Sequence, residues 1–269
     1  MLPRAELQRL ASRERIALGV LEKDYVLTEV LKALSRLQEL RESFVFKGGT
    51  ALRKVYFPRW RYSEDLDFTV RFDVPKEILE QKLDSLYQQV EQATQIRLTT
   101  RMLHKANGYA RVRTQFLGPL GHPAMIYMDL SFDEPLCLEP QSRKVLTAPF
   151  PDEERILQVY HLEELTAEKM RSLLERGKSR DYYDVWRLLK EKRSRMDLEL
   201  LGMVLQKKLA HKGLALTTTA DFLPENPAGV KKYWEKDLSQ QVATLLPLED
   251  VLDELKQTLD SYVAPYLRL

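Results

Sequence analysis

The chain has one cysteine, Cys137, among its 269 residues, so no disulfide can close within it and a reducing compartment is the expected setting. Its four histidines (His104, His122, His161 and His211) are scattered without metal-ligand spacing, which argues against a zinc site. No apolar run approaches the ~20 residues that span a bilayer. The opening MLPRAELQRLASRERIALGV also lacks the continuous apolar stretch of a secretion signal. A cytoplasmic protein without a membrane partner is the expectation. Charge of one sign is equally lacking. With 42 Lys and Arg against 40 Asp and Glu, the net charge of +2 selects no partner, and any nucleic-acid footprint must come from local clustering. No internal repeat or low-complexity tract breaks an ordinary globular balance of apolar and charged residues.

What is present is a change of rhythm along the chain. Over residues 4–41, Val26, Leu27, Val30, Leu31, Leu34 and Leu37 recur at steps of three and four, which predicts helix. Between about 44 and 150, strand-like SFVF, SEDLDFTV, IRLTTRML, YARVRTQFL and AMIYMDLSF are interspersed with helical ALRKVYF and PKEILEQKLDSLYQQVEQA, the latter with Pro75 in its first turn. GPLGHP between the last two strands predicts an antiparallel hairpin. From 156 onward the pattern is almost wholly helical, with Gly177 and Gly213 at helix ends. The expected organisation is residues 1–155 as N-terminal helices plus an α/β core, and 156–269 as a helical domain.

The chemistry concentrates in FKGGTALRKVYFPRWRYSEDLDFTV, residues 46–70. Side chains alternate along a strand, so Ser63, Asp65, Asp67 and Thr69 share one face, while Leu66, Phe68 and Val70 share the other with Glu64 at its rim. Two carboxylates two residues apart repel, and a cation between them relieves the repulsion. Paired oxygen ligands suit Mg²⁺ or Mn²⁺; a solvated strand edge that discourages aggregation is the plainer alternative. Upstream, Lys47-Gly48-Gly49-Thr50 follows an apolar strand and opens a helix. Glycines let backbone N–H groups approach an anion, and a helix start favours phosphate. A tight strand–helix turn explains the same glycines, and the Walker A pattern is not satisfied. Phosphate cradle followed by carboxylates on the next strand is the logic of nucleotidyl transfer. Asp129 supplies a third acid, because in MIYMDLSF it shares a face with Tyr127 and Ser131, opposite Ile126, Met128, Leu130 and Phe132.

In the second half, Lys169 lies on the apolar stripe of Leu162, Leu165 and Leu173, where it must snorkel outward or find an anion. In RDYYDVWRLL, Asp181 can cap a helix and Asp184 lies one turn on, next to the inward Val185 and Leu188. Arg53, Lys54, Arg59 and Arg61, interleaved with Trp60 and Tyr62, can hold an RNA backbone and stack a base, or be solvated loop charge. Arg111 and Arg113 share a strand face. The pairs Lys207-Lys208 and Lys231-Lys232 read as exposed helix surface, and Trp234 as core.

GGTALRKVY followed by RYSEDLDF, with LEKDYVLTEVL before and LTAEKMRSLLERGKSRDYYDVWRLL after, resembles the AbiEii-type nucleotidyltransferase toxins of type IV toxin–antitoxin systems, MenT toxins included. The resemblance implies an α+β fold: a polymerase β-like nucleotidyltransferase core, a mixed sheet flanked by helices, followed by a C-terminal helical region. It implies transfer of NMP from an NTP to an acceptor, tRNA foremost, with Mg²⁺ or Mn²⁺, growth arrest as outcome, and a cognate antitoxin from an adjacent gene as partner. Asp65, Asp67 and Asp129 would hold metal; Lys47, Gly48, Gly49 and Thr50 would cradle phosphates. By resemblance, Ser63 and Asp65 are functional, Lys169 binds or orients the phosphates, and Asp181 or Asp184 assists as base or Lys-orienting group. Competing readings are a protein or small-molecule acceptor, and a nucleotide-binding interaction protein without turnover.

Overall fold

The structure is a computed structural model that describes residues 1–150 and 154–267. It divides into two compact units, one of residues 1–134 and 140–160, the other of residues 135–139 and 161–269.

The first unit is built on a mixed seven-stranded sheet. Three helices come first: α1 (Arg4–Glu14), α2 (Leu18–Arg36) and α3 (Gln38–Ser43). Strand β1 (Phe44–Lys47) runs directly into the short helix α4 (Gly48–Ala51), which continues through a π-type turn over Leu52–Tyr56. Then come β2 (Asp65–Val70), helix α5 (Lys76–Thr94), and strands β3 (Arg97–Ala106), β4 (Tyr109–Leu117) and β5 (Pro123–Ser131). Strands β6 (Gln141–Lys144) and β7 (Ile156–Val159) complete the sheet in the order β3-β4-β5-β2-β1-β7-β6. The pairs β2/β5 and β1/β7 are parallel and the rest antiparallel.

Apolar alternation decides the faces. Leu66 and Phe68 of β2, Met128 and Leu130 of β5, and Val112 of β4 are all buried, and α2 and α5 pack against this side of the sheet. Helix α2 is buried around most of its circumference, so its charges need internal partners. Asp24, 0% exposed, meets the Lys54 ammonium at 2.7 Å, and Glu22 accepts from the Leu120 backbone N–H at 2.7 Å. Burial pulls the Lys54 pKa below that of an ordinary lysine, and the Asp24 carboxylate opposes the shift.

The second unit is helical: α6 (Leu162–Glu175), α7 (Ser179–Glu191), α8 (Leu198–Lys212), α9 (Pro227–Leu238) and α10 (Leu248–Thr258). Its core gathers Met170, Tyr183, Trp186, Leu205, Trp234 and Val251, with Tyr183 5.7 Å from Trp186 between ring centroids.

Four expectations need correction. The stretch from 156 begins with strand β7, and β6 was not foreseen, because four-residue strands leave too little alternation to register. Lys208 is not surface: it is 0% exposed, 2.9 Å from Glu164 and 3.0 Å from Glu168, and donates to the Pro135 carbonyl at 2.7 Å. Arg53, Lys54, Trp60, Arg61 and Tyr62 are neither a solvated loop nor a stacking platform. All are buried, with the Arg53 guanidinium 3.5 Å from the Tyr62 ring centroid. Finally, Asp181 is the third residue of α7 rather than its cap, and accepts from the Lys178 backbone N–H at 3.3 Å.

The Asp24–Lys54 tie makes a stability prediction. Asp24→Ala leaves a buried ammonium unpaired and is expected to cost about 3–5 kcal/mol in urea unfolding, whereas Asp24→Leu combined with Lys54→Met recovers most of that loss. Equal destabilisation in both would contradict the pairing.

Candidate active site

The glycine turn and β2 are locked together at close range. Gly48 has φ +78°, a left-handed conformation, and a Cβ built there would stand 2.0 Å from Asp67 Oδ2. The Asp67 carboxylate therefore occupies the space in which any other residue would carry a side chain. At Gly49, a Cβ would meet the Arg61 guanidinium at 3.1 Å and the Ser63 hydroxyl at 3.2 Å. The Thr50 hydroxyl donates to the Asp65 carbonyl at 2.5 Å, so it ties α4 to β2. Ser63 lies just before the strand and is buried. Lys47 is buried as well, with its ammonium 5.4 Å from the Tyr160 ring centroid.

Strand register then arranges the charges. Lys47 of β1 is opposite Asp67 of β2, Asp67 opposite Asp129 of β5, and Asp129 opposite Arg111 of β4. A row of cation, carboxylate, carboxylate and cation thus crosses four adjacent strands on one face. Asp65 begins a second row, opposite Tyr127, which is opposite Arg113. The Tyr109 hydroxyl donates to Asp129 Oδ1 at 2.5 Å, and Arg111 Nε is 3.6 Å from the same oxygen. Burial, and next the hydrogen bond to Asp129, hold the Tyr109 phenol protonated well above the usual tyrosine range. Sequence reasoning missed Tyr109, although its position on the same strand face as Arg111 was available as a signal. Glu64, at the start of this segment, pairs with Lys23.

Among the described residues, no group of three or more His, Cys, Asp or Glu is gathered to hold a metal ion. The donor chemistry of Asp65 and Asp67 nevertheless fits Mg²⁺, which takes one or two carboxylates together with substrate phosphate oxygens rather than an all-protein cage.

The second unit contains the other predicted residues. The Lys169 ammonium is 2.9 Å from Asp184 Oδ2 and 4.0 Å from Asp181 Oδ1, so the lysine on an apolar stripe has found its anion. Asp184 is 0% exposed and Asp181 1%. The two aspartates are held differently, because Arg176 donates to both Asp181 oxygens, at 2.9 and 3.0 Å.

Residues 30–261 match the family model described as Nucleotidyl transferase AbiEii toxin, Type IV TA system, and the chain belongs to this family of nucleotidyltransferase enzymes. Two solved structures share the fold. The nucleotidyltransferase toxin MenT4 of Mycobacterium tuberculosis H37Rv superposes with a TM-score of 0.74 at 18% identity, over 98% of this chain and 90% of that one. An H. pylori protein assigned as a nucleotidyltransferase gives 0.56 at 17% identity, over 93% and 97%. No curated protein matches the sequence. The fold is thus the expected one, a mixed sheet flanked by helices with helices following. Among the described residues, no helix is long and apolar enough to cross a membrane.

The Gly48–Asp67 contact can be isolated with an internal control. Gly121 has almost the same φ, +76°, but a Cβ there meets nothing within 4 Å. Gly121→Ala is expected to cost only left-handed strain, about 1–2 kcal/mol. Gly48→Ala should cost clearly more, since the carboxylate must also move. Equal unfolding free energies for the two variants would refute the contact.

Proposed function

We propose that this chain transfers the nucleoside monophosphate of an NTP to a hydroxyl of an RNA acceptor, tRNA foremost, and releases pyrophosphate. The observation that carries this reading is the union of the Gly48-Gly49 turn with the Asp65–Asp67 carboxylate pair. A glycine turn of the kind that can present backbone N–H groups to phosphate lies against carboxylates of the kind that can hold a divalent cation, which supports the reading.

Asp65 and Asp67 would hold Mg²⁺ or Mn²⁺, with Asp129 completing the site. The cation would neutralise developing charge on the phosphates and favour attack by the acceptor oxygen. Lys47 and the backbone N–H groups of Gly48, Gly49 and Thr50 cradle the phosphates in this reading. The Ser63 hydroxyl, held against Gly49, is a further donor to them. Lys169 orients phosphate. Asp184, which touches its ammonium, sets the position of that charge, while Asp181 is tied to Arg176 and the start of α7. As a member of a type IV toxin family, the chain would act as the growth-arresting toxin of a pair, in the cytoplasm, restrained by an antitoxin encoded alongside.

Incubation with each of the four α-labelled NTPs, Mg²⁺ and total tRNA tests the proposal. Label is expected in RNA with at least one nucleotide. Asp65→Ala and Asp67→Asn should each lower the transfer rate at least about 100-fold, in the range set by loss of electrostatic stabilisation in the transition state. Lys169→Ala should behave likewise. Label in polypeptide and none in RNA would replace the acceptor, and full activity in Asp65→Ala would overturn the site.

A further inference from the structure

One face of the sheet carries α2 and α5; the opposite face, on which Asp65 and Asp67 stand, continues outward over β5, β4 and β3. Strands β3 and β4 together contain five Lys and Arg and no Asp or Glu, an imbalance that the near-neutral chain as a whole does not show. Of the five, Lys105 points to the helix side, where it meets Asp73 at 2.6 Å, and Arg97, at the start of β3, is engaged by Glu91 of α5 at 3.3 Å. Arg101, Arg111 and Arg113 are on the open face and all are exposed. Arg101, at an irregularity of the β3–β4 ladder, reaches across to Gln115 at 2.7 Å. Arg113 makes no ion pair among the described residues.

This surface is continuous with the carboxylate pair. One row reads Asp67, Asp129, Arg111, His104 across β2, β5, β4 and β3; the next reads Asp65, Tyr127, Arg113, Met102. Tyr127 is half-buried, with the Arg111 guanidinium 5.0 Å from its ring centroid. Cations on a flat sheet interleaved with an aromatic ring suit a strand whose charge lies in its backbone and whose bases offer π-faces. An acidic peptide would use the charges but leave the stacking surfaces idle.

We propose that the open face of β3, β4 and β5 is the docking surface for a single-stranded segment of the acceptor RNA, which it leads toward Asp65 and Asp67. The inference rests on the polynucleotide acceptor proposed above and names the part of the chain that binds it.

The test needs no NTP and no turnover, so it is separable from the transfer assay. The full chain is titrated with a fluorescent 20-nucleotide oligouridine over a range of salt concentrations. Each backbone phosphate neutralised on a single strand contributes about 0.7 to the slope of log K against log salt. Arg101→Gln with Arg113→Gln, neither of which touches the carboxylates, is expected to reduce that slope by about 1.4 and to weaken binding at least about tenfold at low salt. Arg101→Lys with Arg113→Lys should preserve the slope. Lys232→Gln with Lys236→Gln, which alters a different basic surface beside the exposed Tyr233, should leave it unchanged. Absence of oligouridine binding, an unaltered slope in the β3–β4 Gln variant, or loss confined to the Lys232/Lys236 variant would overturn the surface. So would displacement of the oligonucleotide by polyglutamate as effectively as by unlabelled RNA of equal charge. A transfer-active enzyme whose β3–β4 Gln variant keeps its KM for RNA would also overturn it, while leaving the function intact.

Discussion

The contact on which the site depends is a carboxylate resting on a glycine. Asp67 can lie over the β1–α4 turn only because residue 48 has no side chain and adopts a backbone conformation that other residues adopt at a cost. The turn and β2 then behave as one piece, and Thr50 on the Asp65 carbonyl and Ser63 and Arg61 against Gly49 add further ties. This arrangement forces like charges together. Carboxylates in register on neighbouring strands repel. The sheet answers with Lys47 on one side of the Asp67–Asp129 pair and Arg111 on the other.

Each unit also contains a buried ionic tie between elements distant in sequence. Asp24 and Lys54 fasten α2 to the turn after α4, and Lys208 fastens α8 to α6 and to the Pro135 carbonyl. Such pairs give little net stability, because desolvation consumes most of the attraction. Their physical effect here is positional. A buried ammonium without its carboxylate is costly, so slippage of either element is penalised far more than slippage along an apolar seam. In the first unit the element so held is the one that carries Gly48 and Gly49.

The reading of the sequence succeeded where one period decided the matter. The two-residue alternation of SEDLDFTV and MIYMDLSF separated buried from open face correctly from Asp65 to Phe68 and from Ile126 to Ser131, but not at Thr69, which is buried against the Tyr160 hydroxyl. It overran at Ser63, which precedes the strand. It failed where charge was taken to mean solvent. Arg53 and Arg61 are buried by donating to carbonyls of their own loop, at Trp60 and Tyr62, whereas Lys54 and Lys208 are buried because their partners come from elsewhere in the chain: Asp24 is 30 residues before Lys54, and Glu164 lies 44 before Lys208. No local pattern encodes such a pairing. The short β6 and β7 escaped for a related reason, since a strand of four residues is specified by its neighbours more than by itself. Asp181 and Asp184, inseparable by sequence, are distinguished by their partners, Arg176 for one and Lys169 for the other.

The state of Asp129 follows from the same logic. It stands in register with Asp67, yet its Oδ1 is engaged by the Tyr109 hydroxyl and lies near Arg111. A neutral donor and a cation together stabilise a carboxylate that would otherwise face Asp67 with no cation beside it. In the proposed reading, Mg²⁺ needs only one or two protein carboxylates when substrate phosphates complete its shell, so Asp65 and Asp67 suffice to begin with. Asp129 then contributes its charge from a fixed position, and Tyr109 governs how freely that carboxylate can turn toward the pair. The phenol remains a donor across the working pH range, because its pKa is driven upward by burial and by the very carboxylate it holds. The phenol therefore keeps its proton, and the tie to Asp129 depends on geometry.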